Sequence, residues 1–341
     1  MRRAIDLAHL GLGTTYPNPL VGAVLVHENR IIGEGWHQKA GEAHAEVRCF
    51  DSVVFQDKKL ISESTLYVTL EPCDHYGRTS PCSLQVIEER VSRVVIGTKD
   101  PNPAVGGKGI ERIKEAGISV EIGVCEEEAR WMNRRYLTSR ELGRPYVVLK
   151  WAASADGYMD PGSNHQRTGP VWITGKRTKQ VVHQWRAEEQ AILVGRITAE
   201  IDDPGLDVRE VDGKNPIRMV IDPDSQLPGH LKMWNKEGET WTFGHKEGHP
   251  YSDRHFELEW DETSVDSLLE KAHLEGIQSI LVEGGAQTLA YFIERDLWDE
   301  ARIFTGTKSF GSGIEAPRIS GVHIERTMVD QDQLDLLKNL H

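Results

Sequence analysis

The sequence predicts two successive α/β domains, residues 1–143 and 144–341, and three observations carry that reading. Helical and strand patterns alternate through the first 140 residues, as they do where helices cover both faces of a sheet. A polar stretch, Thr138-Ser139-Arg140-Glu141-Leu142-Gly143-Arg144-Pro145, ends in Gly and Pro and reads as a linker. A second alternating series then opens at Pro145-Tyr146-Val147-Val148-Leu149-Lys150-Trp151. At 341 residues the chain can bury a separate core in each half.

In the first half, Arg2 to Leu12 reads as an amphipathic helix, Leu20 to Val26 as a strand and Arg30 to Trp36 as its hairpin partner. His44 to Phe50 starts a helix, Thr65 to Thr69 is a strand and Cys82 to Glu89 a helix. Val91 to Gly97 is a valine-rich strand, Gly109 to Ala116 a helix and Ser119 to Gly123 a short strand. This order predicts a mostly parallel sheet between helical layers. In the second half, Val181 to Glu189 is helical, Ala191 to Val194 and Ile217 to Ile221 are strands, Val265 to Glu275 is a helix and Ser279 to Val282 a strand. From about Gln226 to Glu262 the pattern is too weak to place strands, and no internal repeat is visible.

Composition narrows the function. With 38% hydrophobic and 27% charged residues the chain falls among globular proteins rather than disordered ones. A net charge of −13 argues against a nucleic-acid binder, whose affinity comes largely from neutralising phosphates. Any phosphorylated substrate must therefore be held by local Arg, Lys or helix N-termini. There is no apolar run of 18 residues to suggest a membrane span, and Met1-Arg2-Arg3 leads straight into the first helix without a leader-like segment. Four scattered cysteines make no disulfide framework.

Two of those cysteines belong to the strongest chemical signal. His44-Ala45-Glu46 is followed by Pro72-Cys73 and Pro81-Cys82. One imidazole and two thiolates fill three tetrahedral positions of zinc (Zn2+) and leave the fourth for water. His-x-Glu alone carries no weight, since it recurs at His245, His255, His273 and His323 without cysteines to complete a site. Residues i and i+2 lie about 200° apart on a helix, so His44 and Glu46 must sit where a helix begins, after a turn at Gly41. His44, Cys73 and Cys82 are the expected ligands, and Glu46 the expected proton carrier. Thiolate ligands need a reducing compartment, which points to the cytoplasm. Cys49 is expected in the core, and Cys125 at a helix start.

The spacing of eight residues between the cysteines departs from Pro-Cys-x-x-Cys. The run Thr69-Leu70-Glu71-Pro72-Cys73-Asp74-His75-Tyr76-Gly77-Arg78-Thr79-Ser80-Pro81-Cys82 closely resembles the bifunctional riboflavin-biosynthesis deaminase/reductase family. So do Tyr16-Pro17-Asn18-Pro19-Leu20-Val21-Gly22 and Asp100-Pro101-Asn102-Pro103, and the likeness runs through nearly the whole chain. Ser80 stands where the family usually has proline, a change that removes no ligand. The resemblance implies a cytidine-deaminase-like three-layer domain followed by a dihydrofolate-reductase-like α/β domain that uses NADPH. It implies hydrolysis of the 2-amino group of 2,5-diamino-6-ribosylamino-4(3H)-pyrimidinone 5′-phosphate, then reduction of the ribosyl chain to ribityl. Asn18 is expected to read the pyrimidine edge, since an amide both donates and accepts.

In the second half, Gly284-Gly285 and Gly195 stand at strand-to-helix junctions, where backbone N–H groups can approach a phosphate. The pattern is not Gly-x-Gly-x-x-Gly, so no Rossmann domain is indicated. The resemblance places the cofactor near Ala152, Trp172, Thr198 and Asp202, with the turn at Gly285, Ala286, Gln287, Thr288, Leu289, Ala290 and Tyr291 on the phosphates. It places substrate near Arg186, Leu206, Arg209 and Glu283; Pro170 stands where many members carry a serine. Arg186 and Arg209 offer forks suited to a sugar phosphate. Lys150, on an apolar strand, and Asp202 are candidates for delivering a proton as the ribose ring opens. Asp156 before Gly157 reads as a turn-former, and Lys176-Arg177 are expected near the 2′-phosphate of NADPH.

Two rivals are weaker. A nucleic-acid-editing deaminase of the tRNA-adenosine type predicts a basic surface and Cys-x-x-Cys, and the chain has neither. A binding protein with a structural zinc would need a fourth protein ligand, from His75 or Cys49. Homo-oligomerisation is left open.

Overall fold

The computed structural model describes residues 1–76, 80–102, 106–162, 169–235, 237–245, 247–259, 261 and 263–340. Gly77, Arg78 and Thr79 of the inter-cysteine insertion and Pro103 lie outside these. The chain divides into two compact units, Met1–Gly143 and Arg144–His341. Among the described residues, no helix is long and apolar enough to cross a membrane.

The first unit runs α1 (Arg2–His9), β1 (Gly22–His27), β2 (Arg30–Trp36), α2 (Ala45–Asp51), β3 (Thr65–Leu70), α3 (Cys82–Glu88), β4 (Arg93–Thr98), α4 (Lys108–Glu115), β5 (Ser119–Ile122), α5 (Glu126–Met132) and α6 (Arg134–Leu142). Its sheet has the order β2-β1-β3-β4-β5. It is mixed rather than mostly parallel: β1 pairs antiparallel with β2 and β3, while β3-β4 and β4-β5 are parallel. A two-residue turn between β1 and β2 can join only antiparallel strands. Side chains alternate along β1: Ala23 and Leu25 enter the core with Ala45, Cys49, Val86 and Ile113 of α2, α3 and α4, while Val24 packs with Ala4 and Leu7 of α1. The result is three layers.

The stretch expected as a linker is mostly helix. Within α6, Arg135, Tyr136, Leu137 and Ser139 are buried, and the helix ends at Gly143 in the left-handed region, φ 65°. Burial of one face against the unit outweighs a polar composition.

The second unit runs β6 (Tyr146–Ala153), β7 (Tyr158–Asp160), α7 (Lys176–Glu188), β8 (Ala191–Gly195), α8 (Arg196–Asp202), β9 (Ile217–Ile221), β10 (Thr240–Gly244), β11 (Arg254–Glu257), α9 (Ser264–Leu274), β12 (Ser279–Val282), α10 (Ala286–Glu294), β13 (Glu300–Thr305), β14 (Ile314–Glu315), β15 (Val322–Val329) and β16 (Asp332–Lys338). Nine strands form one sheet, β11-β10-β9-β8-β12-β6-β13-β16-β15, parallel except at β13-β16 and β16-β15. β7 and β14 pair in a separate ribbon. Val147, Leu149 and Trp151 of β6 join Leu268, Leu289 and Phe292 of α9 and α10 on one face; Val148 faces Trp185 of α7 on the other. The weakly patterned stretch supplies β10 and β11. β10 is buried throughout, so it shows no period-2 signal to find.

Candidate active sites

In the first unit, three places where regular structure starts or stops converge. His44 is extended (φ −71°, ψ 166°) and is the N-cap of α2, so Glu46 falls in the first turn. Gly41, at φ +85°, makes the turn before it. The close seat of α2 on β2 depends on Gly35, where a Cβ would lie 2.4 Å from the Cys49 nitrogen. Cys73 follows β3, and Cys82 opens α3 after Pro81. The buried Glu71 carboxylate anchors this loop by accepting backbone N–H groups of Gly107 (3.1 Å) and Ile110 (3.3 Å). Asp74 takes Ser83 Oγ and, at 2.7 Å, Arg112 Nε.

His44 Nδ1 lies 3.1 Å from Cys82 Sγ and 3.6 Å from Cys73 Sγ, and the three ligand atoms fall within 4.8 Å of one another. Tetrahedral zinc with ordinary Zn–N and Zn–S bonds sets N···S at about 3.6 Å. Donor set and spacing therefore both fit one zinc ion. Cys49 is fully buried in the core behind α2, and the cluster offers three protein ligands among the described residues. A closed structural site built with Cys49 is thereby disfavoured. Cys125 is the left-handed N-cap of α5, with φ 55°. A hydrogen bond from Cys82, with His44 adding to it, holds the Cys73 thiol down to about 4. Burial, with the Cys73 charge adding to it, pushes Glu46 up to about 7.

These groups line a cavity of ≈ 220 Å³ with Asn18, His37, His75, Asp100, Asn102, Tyr136 and Arg140. Asn18 Nδ2 lies 3.0 Å from His37 Nε2, and His37 Nδ1 lies 3.2 Å from the Ala43 carbonyl. A carbonyl only accepts, so Nδ1 carries the proton and neutral His37 accepts from the Asn18 amide at Nε2. His37, Tyr136 and Arg140 escaped the sequence reading, and Asp100 entered it only within the run Asp100-Pro101-Asn102-Pro103. The signal for Tyr136 and Arg140 was their i, i+4 spacing, hidden when Arg140 was read as part of a linker.

In the second unit, a cavity of ≈ 480 Å³ opens at the carboxyl ends of β8, β9 and β12. Parallel sheets place ligands at that edge. Of the sequence-predicted residues, Thr198, Asp202, Glu283, Gly285, Ala286, Gln287, Thr288 and Tyr291 line it. The two glycine junctions abut: a Cβ on Gly195 would meet Thr288 Oγ1 at 2.5 Å, and Gly285 N–H donates to Thr198 Oγ1 at 2.8 Å. The first turn of α10 leaves its backbone N–H groups without helical partners.

Other predicted residues fall elsewhere. Leu289 and Leu206 are core side chains, because the inward faces of α10 and of the loop after α8 bury them. Ala152 packs toward Phe304 on the α7 face of the sheet. Ala290 is half-buried and off the cavity wall. Trp172 is 53% exposed under Lys179 and is also off the wall. Lys176 and Arg177 are exposed at the start of α7 and off the wall as well. Asp156 is a clamp rather than a catalyst, accepting from Ser154, Phe310 N–H and Gly311 N–H.

Arg186 does not offer an open fork. Its Nε and Nη2 donate to Glu283 at 2.8 Å each, and its Nη1 to the Asp207 carbonyl at 3.2 Å. Lys150 Nζ lies 3.8 Å from Glu283, which it reaches from β6. Burial pushes Glu283 up, but Arg186 and Lys150 outweigh it and hold the carboxyl at about 2. Burial lowers Lys150. Arg209 is exposed and paired with Asp207.

Comparison with known proteins follows the same division. Residues 1–98 match the family model of the cytidine and deoxycytidylate deaminase zinc-binding region, and residues 145–336 match that of the RibD C-terminal domain. Riboflavin biosynthesis protein RibD of Aquifex aeolicus (strain VF5) is 38% identical over 334 residues, covering 96% of this chain and 92% of that protein. RibD of Escherichia coli (strain K12) is 37% identical over 338 residues, covering 92% and 88%. A diaminohydroxyphosphoribosylaminopyrimidine deaminase/5-amino-6-(5-phosphoribosylamino)uracil reductase from Thermotoga maritima has a TM-score of 0.88 at 35% identity, covering 100% of this chain and 97% of that one. With a cytidine-deaminase-type zinc site in one unit and a RibD reductase domain in the other, this chain belongs to the RibD family of riboflavin-biosynthesis deaminase/reductases.

Proposed function

We infer that the chain catalyses two consecutive steps of riboflavin biosynthesis, a deamination by residues 1–143 and a reduction by residues 144–341. The observation that carries the first is the His44, Cys73, Cys82 cluster beside buried Glu46. The substrate is the phosphorylated diaminopyrimidine, whose exocyclic amino group leaves as ammonia while water supplies the new carbonyl oxygen. Zinc held by the three ligands supplies a water whose pKa is lowered to about 7. Glu46 accepts a proton from water and returns it to the ring nitrogen and departing amine. Asn18, oriented by His37, keeps one amide N–H and its Oδ1 for the pyrimidine edge.

In the second unit the cavity lined by Gly195, Thr198, Gly285, Ala286, Gln287, Thr288 and Tyr291 would hold NADPH, whose nicotinamide supplies the hydride when bound. The α10 N-terminus meets the phosphates. Lys150, buried beside Glu283, and Asp202 on the cavity wall are the candidates for delivering a proton to the opening ribose.

The experiment is Glu46→Gln with zinc content and ammonia release measured together. Zinc should stay, and the rate should fall by about 10²–10⁴-fold. A loss under about tenfold would assign the proton to another residue.

A further inference from the structure

One wall of the second unit's cavity is not part of its nine-stranded sheet. Met159 and Asp160 of β7 and Ile314 of β14 line the cavity, and these two strands form a ribbon of their own. Its register holds two residue pairs, Ile314 with Asp160 and Glu315 with Tyr158. A ribbon that short does not keep its place in water unaided. Its close pairing depends on Gly313, where a Cβ would lie 1.9 Å from the Asp160 carbonyl oxygen. Something outside the ribbon must fix it against the cavity.

The turn between β6 and β7 does so. Ser154 N–H donates to the Tyr158 carbonyl at 2.8 Å, and Tyr158 N–H donates to Ser154 Oγ at 2.9 Å. Gly157 carries the turn at φ +90°, and its carbonyl accepts Ala316 N–H at 2.9 Å. Asp156 reaches from the same turn to the loop that leads from β13 to β14. Its carboxylate accepts Phe310 N–H at 3.1 Å, Gly311 N–H at 2.7 Å and Ser154 Oγ at 2.6 Å. Ala155 N–H adds a bond to the Lys308 carbonyl at 2.7 Å. The Ser154 hydroxyl, and after it the Gly311 N–H, hold the Asp156 carboxyl down to about 2, so it is ionised at neutral pH. Asp156 is itself exposed and off the cavity wall, so it acts on a bound molecule only through the ribbon.

We propose that Asp156 is a positioning residue for the cofactor: by pinning the 308–311 loop to the β6–β7 turn, it holds the β7–β14 ribbon as a preformed wall of the cavity. This rests on the reading of that cavity as the NADPH site. The turn feeds β7 and the loop feeds β14, so one carboxylate fixes both strands. Met159 and Ile314 give this wall an apolar surface suited to the face of a cofactor ring, while Gly195, Thr198 and the first turn of α10 supply polar contacts. Without the pin the ribbon samples other placements, and only molecules with the wall in place bind tightly. If their share falls to about a tenth, the apparent Kd rises about tenfold.

The test is NADPH binding and reduction kinetics of the full chain, in wild type, Asp156→Ala, Asp156→Asn and Ile314→Ala. Asp156→Ala should raise Kd and KM for NADPH about tenfold and keep kcat at saturating NADPH. Asp156→Asn keeps one oxygen to accept an N–H and should recover part of the loss. Ile314→Ala, with the pin intact, should weaken NADPH binding by about threefold to tenfold. Hydrogen exchange gives a second readout. In Asp156→Ala the amides of Phe310, Gly311 and the ribbon should exchange faster, while those of β6 and β13 keep their protection. An unchanged Kd in either alanine variant, a loss confined to kcat, or faster exchange across the whole unit would overturn the proposal. A wild type that does not bind NADPH would overturn the reading of the cavity itself, and the proposal with it.

Discussion

The two sites are built by different routes. In the first unit the chemistry is concentrated in three rare side chains, each fixed where an element begins or ends: His44 before α2, Cys73 after β3, Cys82 opening α3. In the second it is spread over backbone and shape, at the ends of β8 and β12 and the starts of α8 and α10, with a buried ionic network behind them. A site made of ligands can lose its function and keep its fold. A site made of packed junctions and a buried carboxylate ties the two together.

The sharpest contrast is Cys82→Ser. It should abolish zinc binding and ammonia release while NADPH-dependent reduction of the deaminated substrate continues. Metal analysis on the purified variant checks it, and full zinc with normal deamination would break the ligand assignment.

In the second unit, Glu283→Gln should act on fold and function together. It leaves Arg186 and Lys150 buried with no carboxylate between them, and such losses cost about 3–5 kcal/mol. Denaturant unfolding should show that loss in the second unit's transition. A cost under about 1 kcal/mol would mean the network is not structural.

Acid should weaken the second unit in a defined window. Glu283 is held at about 2, below its ordinary 4.5, so the unfolded chain binds more protons between those values. Its contribution is complete above about pH 4.5 and is lost as pH falls toward 2. His183 is lowered to about 4 from 6.5, first by burial and then by Arg186 and Arg209. That adds a loss of the same sign between pH 6.5 and 4. Stability measured across pH 7 to 2 should therefore fall with pH in two stages, and Glu283→Gln should flatten the lower one.

The smallest effect is expected from separating the units. A fragment of residues 144–341 should bind NADPH and reduce the deaminated substrate without zinc, within a few-fold of the whole chain, since its core is its own. A folded fragment that fails to bind NADPH would count against the reading of two independent sites.

The His44, Cys73 and Cys82 cluster with Glu46 beside it was legible in one dimension because a zinc site demands particular residue types, and few stretches of the chain hold them. The glycine junctions were legible for a similar reason: their close approach excludes a Cβ. Leu289 and Leu206 show the opposite. Each lies within a predicted site segment, yet each turns into the core; beside Leu289 it is Thr288 that faces the cavity. Arg186 read as an open fork until Glu283, 97 residues away, was seen to occupy it.

Local order therefore follows from the chain alone: the alternation of helix and strand, the turn that delivers His44, and the donor types that suit zinc. Packing decided the rest. It made Thr138–Leu142 part of α6, turned Tyr136 and Arg140 to the deaminase cavity, and placed β10 inside a sheet where it has no polar face. A side chain's role depends on which of its faces meets water, ligand or core. Partners distant in sequence set that, and no local pattern records them.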